Sequence, residues 1–215
     1  MNKTQKEILI GMARKKYKKN DPSHDFQHAL RVCNLACEIG KQEAADLDVL
    51  IPAALFHDAI VYKKNHPKSK YETEESARFT IKTLKSMSSY PQEKIEKVIT
   101  CIKECSFSKR IKPGLLESKI LQDADRLEAT GAISIMRTFS SGGQMGLQFY
   151  DPADPFCKKG STIFRSDIDL FYRRLLVVEK EMNTIFAKRI AKRRTTFLRN
   201  FLKELELELR ESKVY

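Results

Sequence analysis

Residues 2–19 repeat apolar positions at helical spacing and stop at Asn20-Asp21-Pro22, which predicts a first helix. Ser23 or Asp25 is placed to cap a second helix running to about Glu43, since a side-chain oxygen there accepts from the unmatched first amides. On that helix Val32, Leu35, Ala36 and Ile39 form an apolar stripe, and Gln27, Arg31, Asn34, Glu38 and Lys41 fill the other side. His28 lies four residues before Val32, in phase with the stripe, so it faces inward. An inward histidine on its own is more often a hydrogen-bonded core residue than a ligand.

The third segment breaks this alternation. From Val49 to Tyr62 the chain is apolar on nearly every side except at the adjacent pair His57 and Asp58. A helix of that kind is buried. An isolated buried carboxylate costs several kcal/mol, and no Lys or Arg lies inside the run to neutralise it. A divalent metal held by imidazole and carboxylate satisfies both groups at once. The alternative is a closed pair, with His57 hydrogen-bonded and Asp58 bridged to an Arg of another helix. Asp46 or Asp48 opens this helix, and Pro52 is expected near its first turn, where a missing N–H is tolerated.

Beyond it, residues 63–71 read as a polar loop, and helices are expected over 72–88 and 91–105, with Pro91 just inside the latter. A basic loop follows from Ser106 to Pro113. Leu115 to about Phe139 reads as helix up to Ser140-Ser141-Gly142-Gly143, and 142–163 as a long loop. Two long helices, about 166–184 and 185–211, complete an all-α bundle of one domain over residues 1–215.

Composition sharpens this in three ways. The chain has 8 Gly and 7 Pro in 215 residues, which agrees with helix throughout. No apolar stretch approaches the ~20 residues of a membrane span, and the first residues lack the apolar core of a signal peptide. The cysteines (Cys33, Cys37, Cys101, Cys105, Cys157) are odd in number and sit mostly in helices, which suits reduced thiols in a cytoplasmic protein. The pairs 33/37 and 101/105 each share a helix face among apolar residues and read as core rather than as a zinc site.

The formal charge of +12 implies attraction to polyanions. Nucleotide phosphates and nucleic acid both qualify. The basic run Lys188 to Arg194 is balanced by Glu204, Glu206, Glu208 and Glu211, which weakens the nucleic-acid reading.

One more segment completes a pattern. Leu121-Gln-Asp-Ala-Asp125-Arg126-Leu127-Glu128 offers a late carboxylate, either Asp123 or Asp125. Two positions apart on a helix point about 200° apart, so the two do not easily share one ion, and helical phase does not choose between them. In order, the segments are His28 within Ser-His-Asp-Phe-Gln-His-Ala-Leu-Arg-Val, His57-Asp58 within Ala-Ala-Leu-Phe-His-Asp, and the Asp-Ala-Asp-Arg-Leu-Glu-Ala segment. Together they resemble the HD-domain superfamily of metal-dependent phosphohydrolases. From Phe171-Tyr-Arg-Arg174-Leu-Leu through Ala191-Lys-Arg-Arg194 the chain is also similar to the C-terminal helices of small bacterial members, so the likeness runs from about Ser23 to Glu208.

The resemblance implies an all-helical HD fold, one divalent metal on His28, His57, Asp58 and Asp125, and hydrolysis of nucleotides, including triphosphates to monophosphate and pyrophosphate. It favours Asp125 because the family's late ligand precedes a basic residue and Leu. Asp123 then orients a ligand from behind. A donor set of two imidazoles and two carboxylates suits Mn, Fe, Zn or Co better than Mg. Asp58 joins metal binding to catalysis, with water activated at the ion as nucleophile. His24 and Asp25, at the mouth of the His28 helix, are candidates for proton movement or simple capping. Lys63, Lys64, Arg126 and Arg174 are candidates for holding phosphate. Relative to the subfamily, Glu128 replaces Asp and Arg174 replaces Lys, both with charge kept. A phosphodiesterase or 5′-nucleotidase on the same site, and a basic nucleic-acid-binding regulator with a structural metal, are the competing readings.

Overall fold

The computed structural model describes residues 2–17, 22–62, 66–106, 109, 111–159 and 165–214, and these fall into two compact units, Met1–Asp125 and Arg126–Tyr215. The architecture is all-α. Among the described residues there is no strand, only an isolated bridge between Gln148 and Ser166.

The first unit contains α1 (Lys3–Lys16), α2 (Phe26–Gln42), α3 (Leu47–Phe56), α4 (Glu72–Lys85) and α5 (Ile95–Cys105), and α6 (Leu116–Leu127) closes it. Helix α3 is its centre, packed by α1, α2, α4 and α5, with every side chain from Val49 to Phe56 buried. Gly40 of α2 permits the closest of these approaches. A Cβ there would stand 2.8 Å from a methyl of Leu50 and 3.2 Å from one of Leu47.

Pro52 lies in the middle of α3, not near its first turn as the sequence suggests. A proline here removes the amide that would bond the carbonyl of Asp48, four residues earlier. The buried Tyr90 hydroxyl fills the gap, donating to that carbonyl at 2.9 Å. The cap is secured separately. Asp46 accepts from the Asp48 amide at 2.9 Å, and Lys94 Nζ bonds Asp46 at 2.8 Å and Asp48 at 2.6 Å.

Several boundaries shift from expectation. Residues 91–94 form a 3₁₀ turn with Pro91 as its cap, and α5 starts only at Ile95. His66 caps a further 3₁₀ turn, Pro67–Tyr71, within the expected loop. The expected helix over Leu115 to Phe139 is broken at 128–130 between α6 and α7.

In the second unit, α7 (Gly131–Met145) continues through Gly142 and Gly143, and stops at Gly146, which takes the left-handed cap at φ +68. Gly142 serves close packing rather than chain reversal, because the Asp167 carboxylate lies where a Cβ would be. The anticipated helix over 166–184 is a broken run. A Ser166/Asp169 capping box starts α8 (Asp167–Leu170), a π turn covers Phe171–Leu175, and a 3₁₀ turn covers Val178–Glu181. The β-branched pair Val177-Val178 favours helix poorly, and Met182 is extended.

Only α9 (Ile185–Glu211), capped by Thr184, is long. Its buried stripe runs through Ala187, Ala191, Thr195, Leu198 and Leu202, and Leu198 and Leu202 cluster with Ala129, Ile168, Phe171 and Leu175 in this unit's core. Cys33, Cys37, Cys101 and Cys105 are buried and in no disulfide, and the half-buried Cys157 donates to Asp169 at 2.8 Å.

Candidate metal centre

Each ligand candidate is fixed by the local backbone that delivers it. Asp25 caps α2, its carboxylate accepting from the His28 amide at 2.8 Å, which orders the first turn and aims the fully buried His28 ring. The residues after Phe56 leave the helical path, so the last carbonyls of α3 need other donors. The ring of His57 takes that of Ala54 through Nδ1 at 2.8 Å, and the amide of Ala59 takes that of Phe56 at 3.1 Å. The hydroxyl of Tyr17 takes that of Leu55 at 3.1 Å. The first bond requires the hydrogen on Nδ1, so in the neutral ring, the form that ligates a metal, the lone pair is on the buried Nε2.

Helix α6 supplies the fourth group. His28 Nε2 stands 3.7 Å from Asp58 Oδ2 and 3.6 Å from Asp125 Oδ1. The corresponding distances from His57 Nε2 are 3.5 and 3.7 Å. All four exceed hydrogen-bond length, and the buried His57 Nε2 has no hydrogen-bond partner. Ligand atoms of His28, His57 and Asp125 lie within 4.8 Å of one another. Donors at ~2.1 Å from a shared ion stand about 3–3.5 Å apart, so this spacing needs only a slight contraction to hold one. The residues fit a dication.

Electrostatics agree with the geometry. Burial opposes the charged form of His57, but Asp58 and Asp125 outweigh it and push the imidazole up to about 9. Burial likewise opposes ionisation of both carboxyls, yet His57 and His28 hold Asp58 and Asp125 well below the usual carboxylate range. The quartet is a nest of mutually compensating charges with its nitrogens and oxygens too far apart to close.

Other anticipated residues divide. His24 stands edge-on to His28, ring centroids 5.7 Å apart. Asp123 is fully buried, and the Nδ1 of His57 is bonded to the Ala54 carbonyl. Arg126 donates to the Glu181 carbonyl at 2.6 Å, and Arg174 lies in the π turn. Lys63 and Lys64 lie outside the described residues.

Sequence reading passed over Glu72, Ser76 and Tyr17. Glu72 accepts from the Tyr62 amide at 2.7 Å and Ser76 from the Ile60 amide at 3.0 Å, so α4 fixes the chain just after Asp58. Burial, reinforced by Asp58, raises the Glu72 carboxyl. Nothing in local spacing marks these contacts; only the tertiary fold brings them to the pair.

The family model for the HD domain matches residues 25–130, which include all four converging groups. YpgQ of Bacillus subtilis is 32% identical over 193 residues, 86% of this chain and 84% of YpgQ. The crystal structure of YpgQ in complex with ADP has a TM-score of 0.73 at 29% identity, covering 95% of this chain and 98% of that one. An HD-superfamily hydrolase of Bacillus thuringiensis gives a TM-score of 0.71 at 27% identity, covering 96% and 97%. The converging histidines and aspartates, the helical fold and these likenesses agree, and the chain belongs to the HD-domain superfamily of hydrolases.

Proposed function

We propose that this protein is a metal-dependent phosphohydrolase acting on nucleoside di- or triphosphates, with a triphosphate as the best simple substrate. The observation that carries the reading is His57 Nε2, which is buried, unpartnered and aimed between two ionised carboxylates. His28, His57, Asp58 and Asp125 would hold the ion. Their mixture of nitrogen and oxygen favours Mn, with Fe, Zn and Co close behind and Mg least suited. A bound dication supplies Lewis-acid activation of water and of a phosphoryl oxygen.

The chain's own residues do the rest. His57 keeps its Nδ1 hydrogen on the Ala54 carbonyl and its other nitrogen for the ion. Asp25 holds the turn that carries His28, and the movement of a proton is assigned to His24, which stands edge-on to that ring. Lys63, Lys64, Arg126 and Arg174 are the proposed phosphate contacts, Arg for its two-point grip on phosphoryl oxygens. The ADP in the YpgQ crystal supports a nucleotide ligand, as does the formal charge of +12.

The decisive assay offers purified protein and Mn²⁺ a panel of nucleotides and scores phosphate against pyrophosphate. Pyrophosphate with monophosphate from a triphosphate is the expected outcome. Phosphate release from monophosphates would make it a 5′-nucleotidase, and turnover of diesters alone a phosphodiesterase. No turnover with Mn²⁺, Co²⁺ or Fe²⁺, together with tight salt-sensitive nucleic-acid binding, would overturn the enzyme reading.

A further inference from the structure

We propose that Tyr17, which closes α1, is a positioning residue for the His57–Asp58 pair and sets how tightly the metal centre binds its ion. The inference rests on the metal-centre reading above and adds a residue from outside the ligand quartet.

Tyr17 is the C-cap of α1, its amide bonded to the Ala13 carbonyl at 3.0 Å. Its phenol is 3% exposed and donates to the Leu55 carbonyl at 3.1 Å. A phenol keeps its proton at neutral pH, so the hydroxyl is the donor to that carbonyl. Continued helix would give the Leu55 carbonyl the amide of Ala59, four residues on. That amide bonds Phe56 instead. Helix α4 holds the chain beyond the turn at Ile60 and Tyr62, and Tyr17 of α1 holds it on the near side, at the Leu55 carbonyl. With the hydroxyl gone, the Leu55 carbonyl can recover a donor only by tightening the turn back toward α-helix. That rewinding would rotate His57 and Asp58 away from His28 and Asp125.

The fold supplies its own control. Tyr90 makes the same kind of bond to the same helix, a buried hydroxyl on the Asp48 carbonyl at 2.9 Å, but at the Pro52 gap rather than beside the ligands. Tyr17→Phe and Tyr90→Phe each remove one buried hydroxyl–carbonyl bond while keeping the ring.

Mn²⁺ affinity by titration, and the visible absorption of the Co²⁺-loaded protein, are read for the parent and both variants. Both variants should melt earlier than the parent. Only Tyr17→Phe should bind Mn²⁺ about 10–100-fold more weakly, the usual cost of losing an orienting partner, and alter the Co²⁺ bands. Parent-like affinity and spectrum in Tyr17→Phe, or equal losses in both variants, would overturn the proposal and leave the proposed function standing. A parent that binds neither ion would overturn both.

If Tyr17→Phe does not fold, hydrogen exchange of the parent with and without Mn²⁺ gives the answer. Added protection at residues 14–17 as well as 54–59 is expected. Protection confined to 54–59 would overturn the tie.

Discussion

In residues 1–125 the buried imidazoles of His28 and His57 face Asp58 and Asp125 at 3.5–3.7 Å and form no hydrogen bond with them. In residues 126–215 the buried Asp169 behaves in the opposite way. One oxygen accepts from the amides of Arg165 at 2.6 Å and Ser166 at 3.0 Å, and the other from Cys157 at 2.8 Å. Glu128, buried beside Arg137 at 3.9 Å, also has an opposite charge to answer it. Burial of charge is thus common to both units and by itself marks nothing. What separates them is closure. Asp169 is satisfied by the protein around it, whereas the first unit gathers two nitrogens and two oxygens and stops short of joining them.

The strongest way to break this contrast is to remove ligands. In His57→Ala and Asp125→Asn the Mn²⁺ that the proposed centre takes up, about one equivalent, should be lost, because direct ligands cost more than the ~10–100-fold of their supporting partners. Elemental analysis after dialysis reads the result. Full retention in both variants would reduce the quartet to a closed ion-pair cluster like those of the second unit.

A middling effect is expected from the second unit. Glu128→Ala leaves the cations that face it uncompensated, and removing one partner of a buried pair costs about 3–5 kcal/mol, here toward the low end because Arg137 is partly exposed. Denaturant unfolding should show the loss, with metal content unchanged. A fall in metal content would show that the two kinds of buried charge are not separable.

The smallest effect sharpens the contrast from within the second unit. Asp167 is buried with one oxygen unpartnered, and burial raises its carboxyl to about 6. The native state therefore holds its proton more tightly than the unfolded chain, whose carboxyl titrates near 3.9. Its contribution to stability is fully present below about pH 4 and is lost as pH rises through about 6. Melting of Asp167→Asn relative to the parent should improve steadily between pH 4 and 6 and level off above 7. A difference constant across that range would mean that the carboxyl is already satisfied.

How much of this was legible depended on the range of the forces involved. The α2 stripe, the Asp25 cap and the inward phase of His28 follow from contacts within one or two turns, and the apolar run of α3 announced its own burial. Helical phase could not choose between Asp123 and Asp125; resemblance favoured Asp125, and that is the carboxylate the fold brings to the imidazoles. Pro52 was misplaced because its missing amide is compensated by Tyr90, 38 residues away. Gly142 looked like an end of helix because its reason, the Asp167 carboxylate, is likewise remote in sequence. Tyr17 falls in phase with Leu9 and Ala13, which marks it for burial but not as the partner of the Leu55 carbonyl. Each miss is a tertiary partner answering a locally unfavourable residue.

Helix α9 carries a further consequence in the order of its charges. Lys188, Arg189, Lys192, Arg193 and Arg194 crowd its N-terminal half with no acid among them, whereas Glu204, Glu206, Glu208 and Glu211 lie in its C-terminal half together with Arg199, Lys203 and Arg210. The peptide dipoles of a helix sum to a positive N-terminus and a negative C-terminus, so both groups sit at the end that repels them. Such a segment gains little from its own electrostatics, and its length alone does not make it self-sufficient. It stays helical because Ala187, Ala191, Thr195, Leu198 and Leu202 are buried along one side. The result is a rod with a strongly cationic start and a finish close to neutral, and the fold maintains that cationic start against the helix's own preference.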